Sequence, residues 1–209
     1  MLEVIDLECE RSERVLFESV AFALRAGELM HVTGPNGSGK TSLLRILCGL
    51  LEPVGGEVRW KGTAIRRLAE DFHRELVYIG HLDGLSGDLT PAENLETACG
   101  LADDDCSAED RNAALASFAL DRFAATPVRA LSQGQRRRAA LARLPLAARK
   151  PLWLLDEPFS ALDTRAVALT SQLIEDHRAR GGMLVVTAHE TLPRGCEPTQ
   201  TLALDGRNG

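Results

Sequence analysis

Residues 29–41 read Leu-Met-His-Val-Thr-Gly-Pro-Asn-Gly-Ser-Gly-Lys-Thr. The apolar run Leu29 to Val32 has the length and content of a buried strand. It passes into Gly34-Pro35-Asn36-Gly37-Ser38-Gly39-Lys40-Thr41, and Ser42 leads on into the helical run Leu43-Leu44-Arg45-Ile46-Leu47. Strand, glycine loop and helix in that order satisfy G-x-x-x-x-G-K-[ST] in its proper context. The glycines let backbone N–H groups turn inward around phosphate oxygens, and the helix start adds its positive dipole end. Lys40 is placed for the β and γ phosphates and Thr41 for Mg²⁺, so residues 34–42 predict a nucleotide triphosphate site.

Two more apolar runs repeat the strand pattern. Leu152-Trp153-Leu154-Leu155 ends in Asp156-Glu157, and Met183-Leu184-Val185-Val186 ends in Thr187. Such runs alternating with helical stretches predict an α/β fold with a parallel sheet whose chemistry lies at the carboxyl ends of its strands. Before the loop, Val20, Phe22 and Leu24 alternate and then meet a turn at Ala26-Gly27, so antiparallel strands are expected to flank the parallel ones in a mixed sheet. From about residue 90 to 145 the pattern is helical. Ser107 and Asp110 give a capping signal, and Pro145 is expected to kink or end a helix. The expectation is one domain over 1–209 with a small helical subdomain at about 90–145.

Asp156 closes an apolar strand, where a carboxylate can hold Mg²⁺ through water. Glu157, pointing the other way on an extended chain, is placed to take a proton from attacking water. This favours hydrolysis over transfer to a second substrate.

Composition narrows the classes. A net charge of −6 argues against a nucleic-acid binder, and aromatic residues at 4% argue against a base-stacking surface. Asp103-Asp104-Asp105 reads as a solvated loop and Arg136-Arg137-Arg138 as surface or phosphate-facing groups. No run approaches the ~18–20 apolar residues of a membrane span, and the acidic start MLEVIDLECE does not read as a signal peptide. Five scattered cysteines, without a C-x-x-C pair, are expected to be reduced thiols.

Leu131-Ser132-Gln133-Gly134-Gln135 resembles the LSGGQ signature of ABC-type ATPases. Ser160-Ala161-Leu162-Asp163 resembles the D-loop of that family, and His189 its switch histidine. With the phosphate loop and the acidic strand, five motifs stand in family order. The resemblance implies the P-loop NTPase fold of ABC type, ATP and Mg²⁺ as cofactors, and a head-to-tail homodimer in which each signature closes on ATP held by the partner. Helix-start amides at Ser132 and Gly134 suit that role as an anion site.

Three positions depart from the family pattern. Gln133 replaces a glycine of the signature, which predicts an added side chain at the dimer face and no loss of function. His81 stands where most members carry the Q-loop glutamine. It is expected to do that glutamine's work or else to be an ordinary loop residue, and an imidazole titrates near neutral pH as glutamine does not. Arg11 falls where an aromatic usually stacks on adenine, so its planar guanidinium would substitute.

The entry strand around Cys9-Glu10-Arg11, together with Leu16-Phe17, Ile79-Gly80-His81 and Thr187-Ala188-His189, resembles the haem-exporter family of ATP-binding subunits of the cytochrome c maturation system. That implies a peripheral protein on the cytoplasmic face of the bacterial inner membrane. Its partners would be integral permease subunits on separate chains and haem-handling maturation proteins, with no nucleic acid. Only 20 residues follow His189, so no regulatory domain is expected after the cassette. The alternatives are another small ABC exporter or importer and a soluble ABC ATPase of Fe–S assembly.

Overall fold

The computed structural model describes residues 1–11, 13–68, 70–102, 106–188 and 191–205. The chain opens with antiparallel strands β1 (Leu2–Arg11) and β2 (Arg14–Leu24), then β3 (Leu29–Thr33) and helix α1 (Lys40–Leu47). Next come β4 (Gly55–Trp60), β5 (Thr63–Ala64), the short helices α2 (Ile65–Leu68) and α3 (Glu70–Arg74), and β6 (Leu76–Ile79). The helical region holds α4 (Pro91–Ala102), α5 (Ala108–Ser117), α6 (Gln133–Leu141) and α7 (Arg143–Leu146). It is followed by β7 (Leu152–Asp156), α8 (Thr164–Ala179), β8 (Met183–Thr187) and β9 (Gln200–Ala203).

Parallel and antiparallel strands are segregated into two sheets. One is antiparallel, in the order β2-β1-β4-β5; the other runs β6-β7-β8-β3-β9 with every pairing parallel. In β1 the burial of Leu2, Val4, Leu7 and Cys9 would fall out of phase at a strict period of two. A bulge at Ile5-Asp6, with Asp6 at φ +49°, absorbs the extra residue. Gly56 crosses the bulge, and a Cβ there would stand 2.2 Å from the Asp6 carbonyl oxygen.

The strands of the parallel sheet are buried on both faces, and alternation divides their side chains between two cores. Met30, Val32, Leu152, Leu154 and Val185 pack with α1 and the antiparallel sheet. Leu29, Val77, Ile79, Trp153, Leu155, Leu184 and Val186 face the helical region and α8. Trp153 stacks on His177 of α8, centroids 3.9 Å apart and planes 10° apart. Burial drives the His177 imidazole down to about 4, helped by Arg180. Helix α6 stops at Leu141 and the chain resumes as α7, because Pro145 has no N–H to bond the Leu141 carbonyl. All five cysteines are free thiols.

Candidate active site

The phosphate loop joins β3 to α1 at the carboxyl end of the parallel sheet. Gly34 takes φ +142°, and a Cβ there would lie 2.4 Å from the carbonyl oxygen of Leu204, the residue just past β9, so only glycine fits at this close approach. Gly39, at φ +101°, caps α1. Pro35, Asn36 and Gly37 form an exposed rim, whereas Ser38, Gly39, Lys40 and Ser42 are buried and Thr41 is half-buried. Lys40 Nζ donates to the carbonyls of Gly34 at 2.7 Å and Pro35 at 3.1 Å, so the loop wraps its own lysine. The first turn of α1 carries no acid, which leaves its positive end uncompensated.

Asp156 ends β7 directly opposite. Its carboxylate, 1% exposed, accepts from Thr41 Oγ1 at 2.8 Å and from Thr187 Oγ1 at 2.7 Å. A hydroxyl and a carboxylate oxygen meeting beside a phosphate loop are hard donors of the kind Mg²⁺ takes. Among the described residues no group of three or more His, Cys, Asp or Glu could cage a metal.

Glu157 is not on an extended chain. At φ +52° the backbone turns sharply, so its direction relative to Asp156 is set by this turn and not by strand alternation. Its N–H bonds the Thr187 hydroxyl at 2.9 Å and carbonyl at 3.2 Å. Its Oε2 lies 3.7 Å from His81 Nδ1, with the histidine side chain 60% exposed. Sequence reading brought His81 to this region, and the structure sets it against the carboxylate.

Ser132, Gln133, Gly134 and Gln135 start α6, with Leu131 buried beneath them. Ser132 caps the helix, its hydroxyl accepting from Gln135 N at 3.3 Å while its own N–H donates to Gln135 Oε1 at 2.8 Å. Ser132 and Gln133 are exposed and α6 has no acid in its first turn. Gly134 is fixed by the D-loop of the same chain: a Cβ there would stand 2.8 Å from the Ala161 carbonyl oxygen. Ser160 N bonds the Glu157 carbonyl, Ala161 takes φ +58°, and Asp163 caps α8 through Ala166 N at 2.8 Å, with Leu162 packed on the helical core.

Arg11 is exposed at the end of β1. His189 and Asp103–Asp105 lie outside the described residues. The arginine run departs from its expected place at the surface, because Arg137 is only 3% exposed and turns inward to the ends of β6 and β7. Thr187, a strand end in the sequence and part of the Thr187-Ala188-His189 resemblance, also holds Asp156 and the Glu157 N–H, which its sequence context does not reveal. Away from the phosphates, a groove of about 440 Å³ runs between the sheet and the helical region, lined by Tyr78, Ser86, Asn94, Leu101 and Arg143 among others. Leu101 is 85% exposed, Leu50 on the same groove 65%, and Leu82 in the loop after β6 81%.

Fold and site together define an ABC-type ATPase cassette. The ABC transporter family matches residues 17–160, more than half the chain. Two solved structures of the cassette MJ0796, one a dimer in a post-hydrolysis state bound to ADP and Pi, align with TM-score 0.86 at 25% identity, covering 99% of this chain and 95% of theirs. Among curated proteins, the cytochrome c biogenesis ATP-binding export protein CcmA of Nitrosomonas europaea is 50% identical over 92% of this chain and 90% of its own. That of Aromatoleum aromaticum is 47% identical over 95% and 93%. The chain belongs to the ABC transporter family and, within it, to the family of these CcmA proteins. No helix among the described residues is long and apolar enough to cross a membrane.

Proposed function

We propose that this chain is the ATP-hydrolysing, energy-coupling subunit of an ABC exporter that serves c-type cytochrome biogenesis. It works as a homodimer on the cytoplasmic face of the bacterial inner membrane, bound to integral permease subunits on separate chains, with haem-handling maturation proteins as neighbours. The pathway rests on 47–50% identity to the export proteins over nearly the whole chain. The chemistry rests on one contact above the rest: Asp156 of the acidic strand meets Thr41 of the phosphate loop at 2.8 Å.

The backbone of residues 34–42 binds the ATP phosphates, and Lys40 leaves the Gly34 and Pro35 carbonyls for the β and γ oxygens. Thr41, and Asp156 through water, hold Mg²⁺, which when bound neutralises charge on those phosphates. Glu157 orients a water and accepts its proton as the water oxygen bonds to the γ phosphorus and the bond to the bridging oxygen breaks, giving ADP and phosphate. His81 orients the Glu157 carboxylate and donates towards phosphate, and His189 contacts the γ phosphate after β8. Arg11 stacks on the base. Ser132 and the amides around Gly134 close on ATP held by the partner subunit, with the D-loop beside them. The groove bordered by Leu50 and Leu101 takes the permease, where apolar exposure marks a docking face.

The test uses Glu157→Gln expressed in the native cell, held closed with ATP and purified from detergent-solubilised membranes, with partners identified by mass spectrometry. Recovery of a membrane permease with haem-handling proteins is expected. A different permease would replace the pathway, and recovery of soluble proteins alone would overturn the transport reading.

A further inference from the structure

Helix α6 is exposed at its start, yet three residues past Gly134 it buries a guanidinium. Arg137 Nη1 donates to the Gly80 carbonyl and to Asp83 Oδ1, both at 2.9 Å. Nη2 donates to the Asp156 carbonyl at 2.5 Å and the Glu157 carbonyl at 2.8 Å. Four acceptors thus take the four N–H groups of the two terminal nitrogens. They belong to two other segments: the loop after β6, which also carries His81, and the end of β7, which carries the acids. Asp83, its side chain 20% exposed, supplies the countercharge that permits burial.

Two residues at this junction hold left-handed backbone, Asp83 and Glu157, both at φ +52°. A side-chain-bearing residue rarely holds φ +52° unless the surroundings impose it. Here the Glu157 N–H is held by Thr187 and the carbonyl by Arg137 and by Ser160 N, so both sides of the turn from which the carboxylate projects are pinned. Because the guanidinium is planar and rigid, a shift of Gly80 and Asp83 at one nitrogen changes the acceptors available to the other.

We propose that Arg137 is a positioning residue for hydrolysis: it locks the backbone turn that aims Glu157 and couples that aim to the loop of residues 80–83. The inference rests on the reading of Glu157 as the group that takes the proton from water. Lysine cannot replace the arginine, since one ammonium cannot span four acceptors on two segments.

The experiment measures ATP affinity, kcat, KM and thermal unfolding of the full chain purified with its membrane partners, as wild type, Arg137→Lys, Asp83→Ala, Glu157→Gln and Arg137→Lys/Glu157→Gln. Arg137→Lys is expected to keep ATP affinity within about twofold and to lower kcat by roughly 10- to 100-fold, the cost of a misaimed group. Asp83→Ala should lower Tm, because it leaves the buried guanidinium without its countercharge, and should lower kcat per folded chain by a smaller factor than Arg137→Lys, and the double variant should be no slower than Glu157→Gln alone. Wild-type kcat in Arg137→Lys, or kcat falling only in proportion to folded protein, would overturn the proposal while an inactive Glu157→Gln left the reading of Glu157 standing. Should Arg137→Lys fail to fold, wild-type kcat in Asp83→Ala would overturn it. A fully active Glu157→Gln would instead overturn the reading beneath it.

Discussion

Helices α5 and α6 both begin at a serine whose hydroxyl accepts the amide three residues on: Ser107 from Asp110 at 3.1 Å, Ser132 from Gln135 at 3.3 Å. In both, the third residue returns the favour to the serine N–H, at 3.1 and 2.8 Å. The starts of both are exposed. They differ in charge. The first turn of α5 holds Glu109 and Asp110, which compensate the positive end of the helix, whereas that of α6 holds no acid and leads into Arg136. One cap finishes a scaffold helix, and the other stabilises a helix while leaving its dipole available to an anion from outside the chain.

Adding the missing acid should break this contrast with the largest effect. Gln133→Glu is expected to lower ATP hydrolysis by about 100-fold, the scale of losing one aligned donor at a developing oxyanion. Its Tm should stay level or rise slightly, because a carboxylate at a helix start is locally favourable. Ala108→Glu, the matching change on α5, should leave hydrolysis at the wild-type rate. Equal rates in the two variants would mean that α6 meets no phosphate.

Removing each hydroxyl sharpens the same point. Ser107→Ala and Ser132→Ala should each cost about 1 kcal/mol in denaturant unfolding. Only Ser132→Ala should also slow hydrolysis, and a matching slowdown in Ser107→Ala would show that the activity follows stability alone.

The smallest effect is a pH dependence. Hydrogen bonds from the Ser107 hydroxyl and then its backbone N–H hold Asp110 below the usual aspartate value, so the carboxylate form is favoured in the folded chain. The cap of α5 is therefore complete above the ordinary aspartate range and is lost as pH falls through the lowered value. Gln135 has no titrating group, so α6 keeps its cap. Amide exchange at Asp110 should accelerate relative to Gln135 on acidification, and parallel behaviour would contradict the assignment of the two caps.

What could be read from sequence was what neighbours in the chain decide. The glycine loop, the apolar strand ending at Asp156 and the capping box of Ser107 and Asp110 are local, and their residues stand where the spacing placed them. The missed features depend on distant segments. Nothing in Arg136-Arg137-Arg138 says which arginine turns inward, since that depends on where β6 and β7 end. Glu157 was read on an extended chain because its left-handed turn is imposed by Thr187 and Arg137 from other elements. Antiparallel strands flank the parallel core as expected, and their division into two sheets depends on which distant strands pair.

In the proposed homodimer each ATP site is completed by the other subunit's signature. Mixing Lys40→Ala chains, whose signature is intact, with Ser132→Arg chains, whose phosphate loop is intact, gives mixed dimers with one complete site. Hydrolysis that neither variant shows alone should return on mixing with ATP. Failure to recover any activity from dimers confirmed to contain one chain of each kind would contradict the shared site.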